Sequence, residues 1–214
     1  MQQQVRDMTI GREPVGVMKP VFRLKAKQVL YYHGDEAESL YRIKEGLVRI
    51  TRMSAEGRII TLRHVRSGDY FGEEVLVNGS RADSAEALTD TEIELIDIRH
   101  LTSEELMEVT CSLTDQLKRQ ADYEYHLSAG NVKQRVARYL CELARTELAS
   151  VSPEGNTIIH AKHELIAEGT ASTRESVSKL MCDLRAEGLV KTRYCSVELL
   201  DMATLQEIAE GFDA

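Results

Sequence analysis

Glycines recur every eleven or twelve residues, at Gly34, Gly46, Gly57, Gly68 and Gly79. An interval that short fits strands of six or seven residues joined by tight turns, and it leaves no room for long helices in this part of the chain. The segments Leu40-Tyr41-Arg42-Ile43, Leu47 to Met53, Ile59 to Val65 and Ile93 to Ile98 largely alternate apolar and polar residues. Such alternation buries one face and leaves the other wet. Regular turns at this spacing predict an antiparallel barrel or roll.

The period then changes. Leu106, Val109, Leu113 and Leu117, then Leu127, carry the three-and-four spacing of a helix-packing seam over roughly 102–127. Ser103 with Glu104 and Glu105 supplies a helix start. Such a seam either pairs with a second copy of the chain or packs on the roll beside it.

Near the other end, Lys162 to Leu180 reads as two short helices around a tight turn. A hydroxyl from Ser172 or Thr173 caps the second helix, and Val177, Leu180, Met181 and Leu184 form its apolar face. Arg174, Glu175 and Lys179 share the opposite surface. The cap hydroxyl left over and Ser176 are free to meet phosphates near the helix start. Arg174 can fork onto a guanine edge, Glu175 can accept from a cytosine amino group, and Lys179 can donate as a point charge, which suits a G·C-containing half-site. A helical hairpin with a solvated charged face is the plainer reading. The residues after the helix speak against it, because Gly188 closes the helix and Val190 to Leu199 reads as two short strands. Helix, turn, helix and hairpin together make a winged DNA-binding module, within which Lys162, Lys191 and Arg193 would approach phosphates.

The run Thr173-Arg174-Glu175-Ser176-Val177-Ser178-Lys179 and, beyond it, Gly188-Leu189-Val190 resemble the CRP/FNR family of bacterial transcription regulators, whose reading helix typically runs Ser-Arg-Glu-Thr-Val-Ser-Arg before a Gly-Leu-Ile wing. The resemblance implies base readout by Arg174 and Glu175, Lys179 in the place of a second reading arginine, and backbone contacts from Thr173 and Ser176. It also implies double-stranded DNA with a TGTGA-like palindrome as the target, a homodimer, and RNA polymerase as a partner. The family's turn glycine, three residues before the reading arginine, is Ala171 here, with Gly169 two positions earlier; an alanine at positive φ is strained, so a different turn is expected.

The implied fold is α+β, with an arm and jelly-roll-like cyclic-nucleotide-binding domain over 1–101, a dimerisation helix over 102–130 and a winged helix-turn-helix over 131–214. Within the roll, Gly68 to Leu76 and Arg81 to Ser84 resemble the family's phosphate-binding cassette, where Gly72, Glu73 and Arg81 match. A glycine permits close approach, the carboxylate accepts from a sugar hydroxyl and the guanidinium pairs with a phosphate. The usual hydroxyl after the arginine is Ala82, and Asp83 would repel a phosphate or occupy Arg81. The helix positions that hold a Thr-Ser pair and an arginine in cyclic-AMP-binding members correspond to Gln120, Ala121 and Gln116. Cyclic AMP is therefore not expected as the effector, no cofactor is assigned, and the chain looks similar to a stress-response subgroup of activators that work without a small effector.

The net charge of −8 conflicts with DNA binding only until its distribution is considered. Residues 131–195 hold ten Lys and Arg against eight Asp and Glu, whereas Glu198 to Asp213 holds five acids and no base. An acidic body with a mildly basic head limits non-specific binding. Cys111, Cys141, Cys182 and Cys195 are too scattered for an iron-sulfur cluster and read as packed thiols of a cytoplasmic protein. His160 and His163 share a spacing but sit at a strand-helix boundary, so no metal site is assigned. No segment is apolar enough to cross a membrane. Glu73 and Glu74, adjacent in an extended segment, would point to opposite faces and cannot act as an acid-base pair, and no P-loop or nucleophile elbow is present, so no enzyme is expected. Residues 1–20, with Pro14 and Pro20, read as a loose arm. The turn-rich stretch from Ser150 to Asn156 is either a polymerase-contacting loop, as in related activators, or a plain connector. The remaining alternatives are a cyclic-nucleotide-dependent regulator or repressor of the same family, and a cyclic-nucleotide module that binds no DNA.

Overall fold

The computed structural model describes residues 19–77 and 79–211, so the arm expected at the N-terminus lies almost wholly outside the described residues. Eight strands come first: β1 (Val21–Leu24), β2 (Val29–Tyr31), β3 (Leu40–Glu45), β4 (Val48–Met53), β5 (Ile59–Val65), β6 (Tyr70–Phe71), β7 (Ser84–Ala87) and β8 (Thr91–Ile96). They form two antiparallel sheets, in the orders β1-β8-β3-β6 and β2-β7-β4-β5. The expected roll is present. Tyr31, Ile43, Val48, Ile50, Val65, Phe71, Ala85 and Ile93 fill the space between the sheets. Each of the first four spaced glycines has positive φ. Gly46 is the most constrained, since a Cβ there would lie 2.6 Å from the Asp90 carbonyl oxygen.

Two details depart from the extended reading. Glu73 and Glu74 open a 3-10 turn, Glu73–Val77, rather than lying in a strand. In the edge strand β5 the register against β4 shifts between Ile50 and Thr51, which leaves Leu62 as an extra residue.

The long helix α1 (Ser103–Ala129) is capped one residue ahead of the expected start. The Thr102 hydroxyl accepts from the Glu105 N–H, and the Glu105 carboxylate accepts from the Thr102 N–H, so a reciprocal capping box closes its first turn. The seam read from sequence is split by the packing. Val109 is 1% exposed and joins Leu40, Tyr70, Val75 and Ile96, with Leu113 packed on the same cluster, so both face the roll. Leu106 and Leu117 are exposed, and Leu127 is half-buried. The three-and-four rule correctly predicts a helix with a buried stripe, but it merges residues from two faces.

The C-terminal part holds α2 (Val132–Leu143), β9 (Ala149–Val151), β10 (Thr157–Ile159), α3 (His163–Glu168), α4 (Arg174–Ala186), β11 (Val190–Arg193), β12 (Ser196–Leu199) and α5 (Met202–Glu210). Its four strands form one antiparallel sheet ordered β11-β12-β10-β9. Val136, Leu140, Ile159, Ile166, Val177, Met181, Leu184 and Leu205 are fully buried in its core, and Leu47 from the β3–β4 turn of the roll enters the same core. No helix among the described residues is long and apolar enough to cross a membrane.

Candidate nucleic-acid interface

The turn between α3 and α4 settles the expectation about Ala171. Its φ is +47°, so alanine occupies the left-handed region that glycine would fill without strain. Gly169 has φ −80° and serves a different need, because a Cβ there would lie 2.0 Å from the Tyr139 ring. The turn therefore keeps the shape expected of a glycine at 171 and carries the strain. Local hydrogen bonds offset part of it: Thr170 Oγ1 donates to the Ile166 carbonyl at 2.7 Å, and Ser172 Oγ donates to the Thr170 carbonyl at 3.1 Å.

Thr173 caps α4, its hydroxyl accepting from the Ser176 N–H at 3.2 Å. Ser172, half-buried and bonded within the turn, does not share that role. Val177, Met181 and Leu184 are buried, which turns Thr173, Arg174, Glu175, Ser176 and Lys179 outward as one exposed surface. Ser178, one turn after Arg174, points instead at α3, with its hydroxyl 2.9 Å from His163 Nδ1. Arg174 Nε lies 3.8 Å from the exposed Glu164 carboxylate, an ion pair weak enough in water to give way to a base edge.

Lys191 and Arg193 project from the wing strand β11, each 3.7 Å from the Glu198 carboxylate on β12. A hydrogen bond from Asn156 holds that carboxyl below the usual range, with the two cations adding to it. Both cations are thus partly neutralised within the wing, a feature their spacing in sequence does not reveal. At the tip, Tyr194 is 93% exposed and Cys195 has φ +57°. Tyr194 thus stands exposed beside the two basic residues of β11.

The cassette in the roll is built but filled from within. Arg81, 1% exposed, donates to the Gly72 carbonyl at 2.9 Å, the Ser39 carbonyl at 2.8 Å and the Glu74 carboxylate at 3.3 Å. Its guanidinium also lies over the Tyr31 and Tyr41 rings, at 4.3 and 5.3 Å from their centroids. Glu73 pairs with Arg63 at 2.5 Å. Asp83 reaches Arg52 at 2.7 Å and leaves Arg81 alone, so the internal competitor for Arg81 is Glu74 and not Asp83. Glu73 and Glu74 do diverge onto different arginines, although the local structure is a 3-10 turn.

The roll also grips the helix-turn-helix. Arg49 of β4 is sandwiched between the carboxylates of Glu86 on β7 and Glu168 at the end of α3. Burial opposes its charge, and Glu168 and Glu86 more than offset this, raising its pKa. Alongside, the Tyr139 hydroxyl lies 3.2 Å from His64 Nε2, and the Tyr123 hydroxyl donates to the Gly169 carbonyl at 2.7 Å. Desolvation, then Arg66 and Arg49, push the pKa of His64 down to about 3.

Comparison with known proteins places these two halves. The cyclic nucleotide-binding domain family matches residues 21–107, and the Crp-like helix-turn-helix domain family matches residues 134–208. A transcriptional regulator LdrP of Thermus thermophilus is 46% identical over 87% of this chain and 95% of its own length. The transcriptional regulator SdrP of the same species is 36% identical over 87% of this chain and 93% of its own. The crystal structure of a CRP-family transcriptional regulator, also from Thermus thermophilus, superimposes with a TM-score of 0.85 at 44% identity, covering 88% of this chain and 96% of that one. With a cyclic-nucleotide-binding roll, a reading helix exposed behind a Thr173 cap and a wing beside it, the chain belongs to the CRP/FNR family and is a DNA-binding transcription regulator.

Proposed function

We propose that this regulator is an activator that binds a TGTGA-like palindrome as a homodimer in the cytoplasm, recruits RNA polymerase there, and does so without cyclic AMP. The observation that carries the last point is Arg81. The two terminal nitrogens of this guanidinium already serve two carbonyls and a carboxylate, and its plane lies over two aromatic rings, so only Nε is unspent and a cyclic phosphate would have to displace Glu74 to gain a two-pronged grip. The links from Arg49 to Glu168 and from Tyr139 to His64 hold the reading head on the roll with the cassette so filled.

Base readout falls to Arg174, Glu175 and Lys179, with Thr173 and Ser176 at phosphates near the start of α4. Pairing of two copies would use the outward stripe of α1 through Leu106, Met107, Thr110, Thr114 and Leu117, because Val109 and Leu113 are already committed to the roll. A two-fold dimer then matches a two-fold operator. The Val151 side chain at the β9 edge, 75% exposed, offers polymerase an apolar contact near the expected loop.

A second reading, cyclic-nucleotide dependence, draws on the cyclic AMP receptor protein of Thermus thermophilus, which is 32% identical over 85% of this chain. Fluorescence anisotropy on a palindromic TGTGA-type duplex and a scrambled one, at fixed salt with and without cyclic AMP, separates the two. Selective binding unmoved by the nucleotide is the expected result. Binding that appears only with the nucleotide would mean that Arg81 can be released from Glu74, and the first reading fails.

A further inference from the structure

Strand β5, the second half of α1, and helices α2 and α5 enclose a polar cleft of about 440 Å³, a size suited to a small ligand. Gly72, Glu73 and Arg81 of the cassette do not line it, and it shares with the nucleotide-contacting positions of cyclic-AMP-binding members only Gln116 and Gln120. Three of the residues that line it carry a buried polar atom without a hydrogen-bond partner among the described residues: Thr61 Oγ1, Gln116 Oε1 and Arg66 Nε. Thr61 and Gln116 are 2% and 3% exposed. The Gln116 amide nitrogen is already used, donating to the Tyr70 carbonyl at 2.6 Å and to Ser112 Oγ at 3.2 Å, so its oxygen is left as an acceptor in search of a donor. Buried polar atoms are rarely left unpaired without a reason.

Charge points the same way. Arg63 and Arg119 on this wall are paired with Glu73 and Asp69. Arg66, Arg138 and Arg145 make no ion pair among the described residues, and they surround one half-buried carboxylate, Glu142. Burial raises the pKa of Glu142 while those three arginines draw it down. Asp122, Glu210 and Arg145 are exposed, where water screens all three alike, so the balance on the inner wall is Arg66 and Arg138 against Glu142. The inner wall therefore holds more cation than anion, together with one unspent acceptor and one unspent hydroxyl.

We propose that this cleft binds a small hydroxylated oxyanion, its phosphate or carboxylate groups between Arg66, Arg138 and Arg145 and its hydroxyls on Gln116 and Thr61. Guanidinium groups suit both anions because each offers parallel oxygens to the planar fork. The ligand would join the roll, through β5 and α1, to the reading head, through α2 and α5. The outward stripe of α1 does not include Gln116, Arg119 or Tyr123, so these parts of the wall lie off the pairing face proposed above. The inference goes beyond the function proposed above and fails separately from it, since occupancy is measured without DNA.

Isothermal titration of the full chain with ribose 5-phosphate, citrate and neutral ribose, at fixed ionic strength, tests it. Saturable binding of one anion with a Kd of about 1 mM or tighter, and none of ribose, is expected, and the anion that binds tells phosphate ester from polycarboxylate. The double variant Arg66→Gln/Arg145→Gln should weaken that binding about tenfold or more, and Glu142→Gln should tighten it. Arg145→Gln alone, at an exposed side chain, carries the same test if the double variant folds poorly, and Arg58→Gln, on the far β4–β5 hairpin, should change nothing. Absence of saturable binding by either anion up to about 10 mM, or binding indifferent to Arg145→Gln, overturns the proposal.

Discussion

Replacing Glu168 by Gln removes the carboxylate by which the helix-turn-helix holds the roll while preserving the volume of the side chain. Arg49 keeps Glu86, so one ion pair is lost and no unpaired charge is created. The side chains of Arg49 and Glu168 are 10% and 24% exposed, between the surface pairs that contribute at most about 1 kcal/mol and the buried ones whose rupture costs about 3–5 kcal/mol. Glu168→Gln should therefore cost about 2 kcal/mol, and Arg49→Gln, which leaves two carboxylates facing each other, about 3 kcal/mol. For a chain of this size each kcal/mol lowers the melting midpoint by about 2–4 °C, so Glu168→Gln should melt about 4–8 °C early. Calorimetry on both single variants and the double variant completes the cycle. A coupling of about 1 kcal/mol or more is expected, whereas additivity within about 0.5 kcal/mol would show that the two side chains meet without acting on each other, and the account of the grip would be wrong.

At the turn, Ala171→Gly should raise the melting midpoint by relieving about 1 kcal/mol of left-handed strain, and Gly169→Ala should lower it through the clash with Tyr139; the opposite pattern would reassign which residue carries the strain. His64, whose pKa is depressed in the fold, takes up its proton mainly on unfolding below pH 6.5. The stability it contributes is thus complete above pH 6.5 and declines toward pH 3, by up to about 1.4 kcal/mol per pH unit, so His64→Gln should flatten the acid limb of midpoint against pH. On DNA, Arg174→Ala should cost about 1–3 kcal/mol on the specific duplex and little on the scrambled one, whereas Lys191→Ala should weaken both alike in anisotropy titrations; equal losses for Arg174→Ala would remove it from base readout.

Much of this molecule is dictated by periods. Spaced glycines give the roll, and the caps and apolar triads give α1 and α4, because those signals act within a few residues. The reading surface of α4 is legible for the same reason, since burial of Val177, Met181 and Leu184 leaves Arg174, Glu175 and Lys179 only one direction. Choices among partners distant in sequence are not legible. Nothing local tells Arg81 to take Glu74 while Asp83 takes Arg52, or Arg49 to find a carboxylate 119 residues away. The seam of α1 fails in between: its period is local, but which leucines and valines lie under the roll is decided by where the sheet ends. In sequence the turn at Ala171 reads as a departure, and the fold answers that packing imposes the backbone there whatever the residue.

Leu47 sits at the tip of a hairpin in the roll, yet it is fully buried among the core residues of the reading head. Two domains that share a core residue are not interchangeable parts. A chimera that grafts a foreign helix-turn-helix after α1 would inherit a leucine-shaped hole or a leucine without a socket, so if α4 reads bases as proposed, the specificity of this protein is more readily altered by editing that helix's exposed face than by exchanging the head.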